Sequence, residues 1–283
     1  MRKYILFILA FSFFNSAFAQ TTGIDCYPTH WWAGMKWNKL QIMVHGKNVS
    51  DNFPMIKMGP EGVKLATGVR LTKINRVENP NYIFLDLVID ATAKPGKFNF
   101  PFLKNMQLSY ELKARRTGNG STFAQGVTSK DFMYLIMPDR FSNGDESNDR
   151  VLGMRDQTLR RDTVFNRHGG DLKGIANKLD YLQSLGVTAL WLNPVIENDM
   201  DNRTEHGYAF TNHYKVDPRL GGDKTYHELV DATHKKGMKV IQDAVYNHVG
   251  IYHHTVIDAA SLSWVHQLPC DDKYQHDCTP HPE

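Results

Sequence analysis

Cysteine is scarce in this chain. There are three in 283 residues, Cys26, Cys270 and Cys278. None stands at CxxC spacing, so a zinc or dithiol redox site lacks its usual frame. Cys270 and Cys278 could close a small loop in an oxidising compartment, leaving Cys26 over, but spacing does not decide the pairing. Net charge is scarce as well: 33 Lys and Arg against 30 Asp and Glu leave +3. That is too weak a balance to argue for nucleic acid, and the one tight basic run, Lys113-Ala114-Arg115-Arg116, reads as a solvated strand end. Gly (21) and Pro (12) are unexceptional, which excludes collagen-like and low-complexity classes. No repeat of solenoid period is present. What remains is an ordinary globular mixture, 41% hydrophobic and 22% charged, long enough for one large domain or two medium ones.

The amino terminus reads as a secretory signal peptide. Arg2 and Lys3 supply the charged region, Tyr4 to Phe14 the apolar core, and Ala17-Phe18-Ala19 a small-x-small cleavage site. The apolar stretch falls short of the roughly 20 residues a membrane span needs, and no later window replaces it. The expected segment is 1–19. The mature chain then begins at Gln20, exported to the periplasm or beyond, with no membrane attachment after cleavage.

Two grammars follow. From Tyr27 to about Phe123 the pattern is alternating strands and turns. Leu40 to Val44, Tyr82 to Asp90, Phe98 to Phe100 and Leu108 to Leu112 alternate, and Ile83, Leu85, Leu87 and Ile89 share a face. Gly59-Pro60, Asn79-Pro80 and Pro95-Gly96 punctuate them. This predicts an all-β sandwich over 20–125. After the turn-rich Thr117–Ser121, strands alternate with amphipathic helices. Phe132–Met137 is an apolar run expected to be a strand buried on both faces. Leu172, Ile175, Ala176, Leu179 and Leu182 recur at helical spacing before Gly186. Val187–Leu192 is a second strand, Leu229, Val230 and Thr233 mark a second helix ending before Gly237, and Lys239–Val245 is a third strand. This grammar predicts a parallel sheet over 126–283. The region holds about three βα units, whereas a closed (β/α)8 barrel takes about 200 residues or more. It is therefore either a small open sheet or the first part of a barrel.

In parallel α/β folds the functional groups gather at the carboxyl ends of strands. Here those ends read Pro138-Asp139-Arg140-Phe141, Asn193-Pro194 and Asp243-Ala244-Val245-Tyr246-Asn247-His248. Asp243 is expected inside its strand, where a carboxylate must be paired. Asn143, Asp145, Asn148 and Asp149 form a hard-oxygen cluster suited to Ca²⁺, which Gly169 and Asp171 could complete; a solvated Asx-rich turn with a helix cap at Asp171 fits the same residues. The histidines His253, His254, His266, His276 and His281 are spaced irregularly, without HExxH, and transition-metal binding is not expected. Trp31, Trp32 and Trp37 read as sandwich core or domain interface before they read as a glycan platform.

Asp243-Ala244-Val245-Tyr246-Asn247-His248 resembles the DxVxNH motif of the α-amylase family, glycoside hydrolase family 13. His206-Gly207-Tyr208, followed by Tyr214, Asp217-Pro218 and Gly221, resembles that family's second-strand loop. Asp139-Arg140-Phe141-Ser142-Asn143-Gly144-Asp145 with Asn148-Asp149, and Trp31-Trp32-Ala33-Gly34-Met35-Lys36 leading into Leu40–Gly46, resemble its neopullulanase/cyclomaltodextrinase branch, especially the secreted, Bacteroides-type members. The resemblance covers residues 27–255 with the motifs in family order. It implies an immunoglobulin-like amino-terminal sandwich and then the first part of a TIM barrel. It implies that His248 hydrogen-bonds the sugar at the cleaved position, that Tyr208 stacks beneath that sugar with His206 beside it, and that Asp243 and Asn247 hold this corner in shape. It implies Ca²⁺ on Asn143, Asp145, Asn148, Asp149, Asp171 and the Gly169 carbonyl. The expected partners are α-glucan oligosaccharides. The branch often forms homodimers through the amino-terminal domain, which these residues neither require nor exclude.

Retaining glycosidases need two carboxylates about 5 Å apart. In this family they come from the fourth and fifth barrel strands, and no GxRxD-type segment follows His248. The expectation is an amino-terminal portion of a neopullulanase-type hydrolase of starch, pullulan or cyclomaltodextrins that has no catalytic carboxylate of its own and is inactive alone. The other reading is an α-glucan-binding fragment without hydrolysis, or the product of a decaying gene.

Overall fold

The computed structural model describes residues 23–101, 108–118, 125–266 and 281–282. The expected signal peptide, Cys270, Cys278 and His276 lie outside the described residues. No helix among the described residues is long and apolar enough to cross a membrane.

Two sheets face each other in the first half. Strands β1 (Ile24–Tyr27), β3 (Lys39–Gly46), β4 (Val63–Ala66), β5 (Val69–Arg76) and β6 (Tyr82–Ile89) form one, in the order β1-β3-β6-β5-β4. Strands β2 (Trp31–Trp32), β7 (Gly96–Phe100) and β8 (Leu108–Lys113) form the other, in the order β2-β8-β7. The short helix α1 (Val49–Asn52) follows β3. Alternation sets the register: Leu40, Ile42 and Val44 lie opposite Leu87, Leu85 and Ile83, so all six point inward together. Phe98, Phe100, Leu108, Tyr110 and Leu112 close the core from the second sheet. Burying each such side chain contributes about 1.5–3 kcal/mol. Trp31 packs against this core, while Trp37 is 69% exposed and lies outside it.

The second half holds the parallel sheet. Strands β9 (Met133–Ile136), β10 (Ala189–Leu192) and β13 (Lys239–Gln242) lie in the order β13-β10-β9, with Leu192 opposite both Ile136 and Gln242. Helix α2 (Pro138–Phe141) follows β9. Between β9 and β10 the expected single helix is two, α3 (Leu172–Asn177) and α4 (Leu179–Ser184), broken where Lys178 leaves helical geometry. The loop after β10 carries a small hairpin, β11 (Ile196–Glu197) with β12 (Asn212–Val216), and α5 (Gly222–Lys235) leads back to β13. Ile136, Leu190 and Leu192 pack on Leu172, Ile175, Leu179, Leu182 and Leu229. The expectation that β9 is buried on both faces fails. Met133 (48%), Leu135 (57%) and Trp191 (39%) stand exposed on the face a closed barrel turns inward.

The halves meet at helix α6 (His254–Ile257) and the turn after it. Asp258 accepts from His45 Nε2 (2.8 Å), Asn79 Nδ2 (2.7 Å) and Asn81 Nδ2 (3.0 Å), all from the sandwich. Trp264 packs edge-on against Tyr82 and Phe84. These contacts hold the third strand's loop against the sandwich.

Candidate functional site

The three parallel strands end side by side, so their polar extensions converge. Asp243 is the first residue beyond β13, not part of it, and its backbone N–H still donates to Leu192 O (3.3 Å). Its carboxylate sits at the strand mouth and accepts from Tyr208 Oη (2.9 Å) and Trp191 Nε1 (3.3 Å), both through Oδ2. Burial and the Asp243 carboxylate push the Tyr208 phenol up from its ordinary value. The phenol therefore stays protonated and donating.

Gly207 lets the loop bring Tyr208 here. Its φ is +81°, and a Cβ would lie 2.1 Å from Pro194 O, so both the dihedral and the contact require glycine. On either side of it, His206 and Tyr208 stack, with ring centres 5.7 Å apart. His206 Nδ1 accepts the Tyr208 backbone N–H (2.9 Å), which places the proton of the neutral ring on Nε2. Burial lowers the His206 pKa and favours this neutral form. Asn193, from the end of β10, donates to His206 O (3.3 Å). His248 Nε2 lies 3.1 Å from Tyr208 O and donates to it, and its Nδ1 then accepts from Asn247 Nδ2 (3.3 Å). Thus His206, Tyr208, Asp243, Asn247 and His248, drawn from two loops, form one corner. A half-buried aromatic face beside imidazoles and a carboxylate suits the apolar face and the hydroxyls of a pyranose. Asn193, marked in the sequence only as a polar strand end, also belongs to the corner, and so does Trp191, which sequence reasoning missed. Trp191 sits on an apolar strand, and only its alternation toward the open face would have marked it.

A buried ionic network, also missed, supports the loop from below. Arg219 is fully buried. Its Nε and Nη2 grip the two oxygens of Asp217 (3.0 and 2.7 Å), and the guanidinium also donates to the Asp156 and Asn198 carbonyls (3.1 and 2.7 Å). Burial alone would raise the Asp217 carboxyl, but the Arg219 guanidinium, with the Arg167 charge and the Asn198 N–H, outweighs it and holds the carboxyl below the usual carboxylate range. Arg167, 2% exposed, donates to Thr204 O (3.5 Å) and Oγ1 (3.3 Å), and Thr204 Oγ1 donates to Asp156 Oδ2 (2.7 Å). Thr204 lies two residues before His206, so this network sets where the stacked pair begins.

The hard-oxygen cluster lies at the end of β9. Asn143 Nδ2 donates to Asp149 Oδ1 (2.7 Å), and a Cβ on Gly169 (φ +83°) would fall 2.6 Å from that same oxygen. Asn148 Oδ1 is buried and has no partner. Burial raises the Asp149 carboxyl. An orphaned amide oxygen, and a carboxylate oxygen approached by a glycine with no side chain, suit a hard cation. Asp145 and Asp171 are engaged otherwise. Asp145 Oδ1 accepts from Ser147 N (3.0 Å) at a 3₁₀ turn. Asp171 caps α3 and accepts backbone N–H groups from Gly144 (3.2 Å), Asp145 (2.9 Å) and Gly174 (2.5 Å). No group of three or more His, Cys, Asp or Glu side chains among the described residues is placed to hold a metal ion by itself. A cation here would draw on amide and backbone oxygens as well as Asp149.

A β-sandwich followed by a parallel α/β sheet with converging polar strand ends defines the class, a two-domain protein whose second half is built of βα units. Residues 135–280 match the alpha-amylase catalytic domain family, and residues 26–116 match the cyclomaltodextrinase N-terminal family. The chain is similar to the periplasmic alpha-amylase of Escherichia coli K12, 35% identical over 168 residues, which is 52% of this chain and 24% of that protein. It is similar to neopullulanase 2 of Thermoactinomyces vulgaris, 40% identical over 121 residues, 42% of this chain and 20% of that protein. It is similar to an amylopullulanase of Thermoanaerobacter thermohydrosulfuricus, 37% identical over 269 residues, covering 81% of this chain and 16% of that protein. The chain belongs to the alpha-amylase family, glycoside hydrolase family 13, and carries the cyclomaltodextrinase-type amino-terminal domain. Its fold is that domain's immunoglobulin-like sandwich followed by the first part of a (β/α)8 barrel. It spans about a sixth to a quarter of the length of these relatives.

Proposed function

We propose that the chain is the amino-terminal part of an exported α-glucan hydrolase of neopullulanase type, and that by itself it binds α-glucan without cutting it. The observation that carries this reading is the corner at the strand ends in which Tyr208 is tied to Asp243 through its phenol and to His248 through its carbonyl. In the whole enzyme Tyr208 would receive the apolar face of the sugar at the cleaved bond. His206 would offer Nε2–H to a hydroxyl. His248 would reach the same ring by exchanging its longer Asn247 contact for a sugar oxygen. Asp243 keeps the Tyr208 phenol oriented and does not itself attack. Hydrolysis with retention requires a nucleophile and an acid/base about 5 Å apart, assigned here to later strands of the barrel. Starch oligomers, pullulan and cyclomaltodextrins are the substrates this reading covers.

A Ca²⁺ ion on Asn143, Asn148, Asp149 and the Gly169 carbonyl, with Asp145 and Asp171 bracing the loop, would fix the end of β9. It would act through structure, with no part in bond cleavage. The charged Arg2-Lys3 pair, the apolar core and Ala17-Phe18-Ala19 support export, in keeping with a relative named as periplasmic.

Calorimetry of the purified chain with a cyclomaltodextrin tests the reading. Heat of binding at millimolar ligand, abolished by Tyr208→Ala, is expected, with no release of reducing sugar from maltodextrin. Absence of heat would remove the binding role, and measurable hydrolysis would refute the assignment of the carboxylates to later strands.

A further inference from the structure

The contact between the two halves is built around imidazoles. His254 lies between two sandwich rings, stacked on Tyr27 (centres 4.9 Å apart, 13° between planes) and on His45 (5.0 Å, 22°). Its Nδ1 is 3.3 Å from Tyr82 Oη. His253, 3% exposed, packs on His254 and on His213 of β12. His253 Nδ1 accepts the Thr255 backbone N–H (3.2 Å), so the neutral ring carries its proton on Nε2 and donates to His213 Nδ1 (3.0 Å). Both acceptor nitrogens of this pair are thereby used. A further proton on His213 Nδ1 would face the His253 Nε2–H, and one on His253 Nδ1 would cost the Thr255 N–H its acceptor and leave Thr255 Oγ1 (2.8 Å) as the partner there.

We propose that this interface is a proton-sensitive latch: sandwich and barrel half stay docked while His253 and His254 are neutral, and separate when both rings take up protons. The groups facing them are few. His254 meets His45, His253, His213, Tyr27, Tyr82, Asp25 and Asp258, and His253 meets His213 and His254. Asp258 already accepts from three sandwich side chains. His45 is held to Asp258 through Nε2 (2.8 Å), so release needs the uptake at His253 and His254 together. Burial, then the neighbouring rings, pushes His253 down to about 3 and His254 down to about 4. Burial lowers His213 too. A docked pKa below the free value means docking is at full strength above about pH 6.5 and is lost as pH falls from there. Each ring makes separation up to about tenfold easier per pH unit in that window, so two rings give roughly several hundred-fold between pH 7 and 5.

The latch borders a cavity of about 490 Å³ lined by Tyr27, Met43, Tyr214, His254, Asp243 and Tyr246. Release would widen the space beside Asp243. The proposal does not rest on the glucan reading, since it concerns only how the halves hold together.

Hydrogen exchange of the full chain from pH 7.5 to 4.5, corrected for the intrinsic rate, tests it. Amides of residues 250–262 should lose protection steeply below pH 6.5, while residues 69–89 in the sandwich keep theirs. The variant H253Q/H254Q should hold the interface with a flat profile. Unchanged protection of 250–262 down to pH 4.5 in the wild type, or an undiminished pH slope in the variant, would overturn the latch. Should that variant lose the interface at every pH, the ring C2-proton resonances of the wild type decide. No titration of His253 and His254 while the amides stay protected supports the latch; midpoints near 6.5 with protection intact refute it.

Discussion

Replacing Gly207 by alanine separates two costs that usually come together. Gly207 (φ +81°) and Gly186 (φ +84°) share nearly the same left-handed backbone, but their surroundings differ. A Cβ at Gly186 meets nothing within 4 Å, whereas at Gly207 it would lie 2.1 Å from Pro194 O and 3.0 Å from Pro194 C. Left-handed geometry costs an alanine about 1–2 kcal/mol, offset by roughly 0.4–1 kcal/mol from the stiffer unfolded chain. Gly186→Ala should therefore cost at most about 1.6 kcal/mol. Gly207→Ala must in addition displace a backbone carbonyl, an overpacking cost of about 1–3 kcal/mol. That carbonyl follows Asn193, which holds His206 O, so the shift should carry into the stacked pair. Hydrogen exchange of residues 189–192 gives the opening free energy of the barrel half in each variant. The Gly207→Ala loss should exceed the Gly186→Ala loss by at least about 1 kcal/mol, and only Gly207→Ala should weaken cyclomaltodextrin binding. Equal losses would refute the argument from close approach.

Arg219→Met should cost about 3–5 kcal/mol because it leaves the Asp217 carboxylate buried and unpaired. Arg167→Met should cost less, since Nε and Nη2 of Arg167 make no hydrogen bond and Asp139, its ion-pair partner at 3.6 Å, keeps Arg140 and the His168 N–H; urea unfolding of both variants checks the order. Adding Ca²⁺ should raise hydrogen-exchange protection of residues 143–149 in the wild type and not in Asp149→Asn; identical responses would exclude Asp149 as a ligand. Acid should weaken the Asp217–Arg219 pair only below about pH 4, because the folded carboxyl is held beneath its free value and its contribution is lost as pH falls through that folded value. Circular dichroism of the Arg219→Met variant should lack that acid step. Residues 130–283 produced alone should be partly molten, since Met133, Leu135 and Trp191 present an uncovered apolar face; a cooperative melt with a fixed near-ultraviolet signal would contradict this.

What could be read from the sequence depended on how far each cause reached along the chain. Alternation in β3 and β6 was plain because both faces obey period two, and the three parallel strands were plain because their runs are apolar. Strand β5 was hidden, since a bulge between Leu71 and Lys73 breaks its alternation and Arg70, Thr72 and Asn75 make it read as loop. The apolar spacing from Leu172 to Leu182 is continuous, so nothing in it signalled the break at Lys178. The site shows the same division. Asp243, Asn247 and His248 stood out as polar residues at a strand end, whereas His206 and Tyr208 were marked only by the resemblance of His206-Gly207-Tyr208 to the family's second-strand loop. Their mutual bonds did not stand out, because Tyr208 and Asp243 are 35 residues apart. The network beneath them is harder still. Arg219 reaches the carbonyl of Asp156 across 63 residues, and Arg167 reaches Thr204 across 37. A charged residue written in a polar loop looks solvated. Only the fold shows that Arg219 is fully buried, where an unpaired charge would cost several kcal/mol. The position of the Tyr208 loop is thus fixed by electrostatics that composition hides, while its chemistry lies in residues that the local pattern displays.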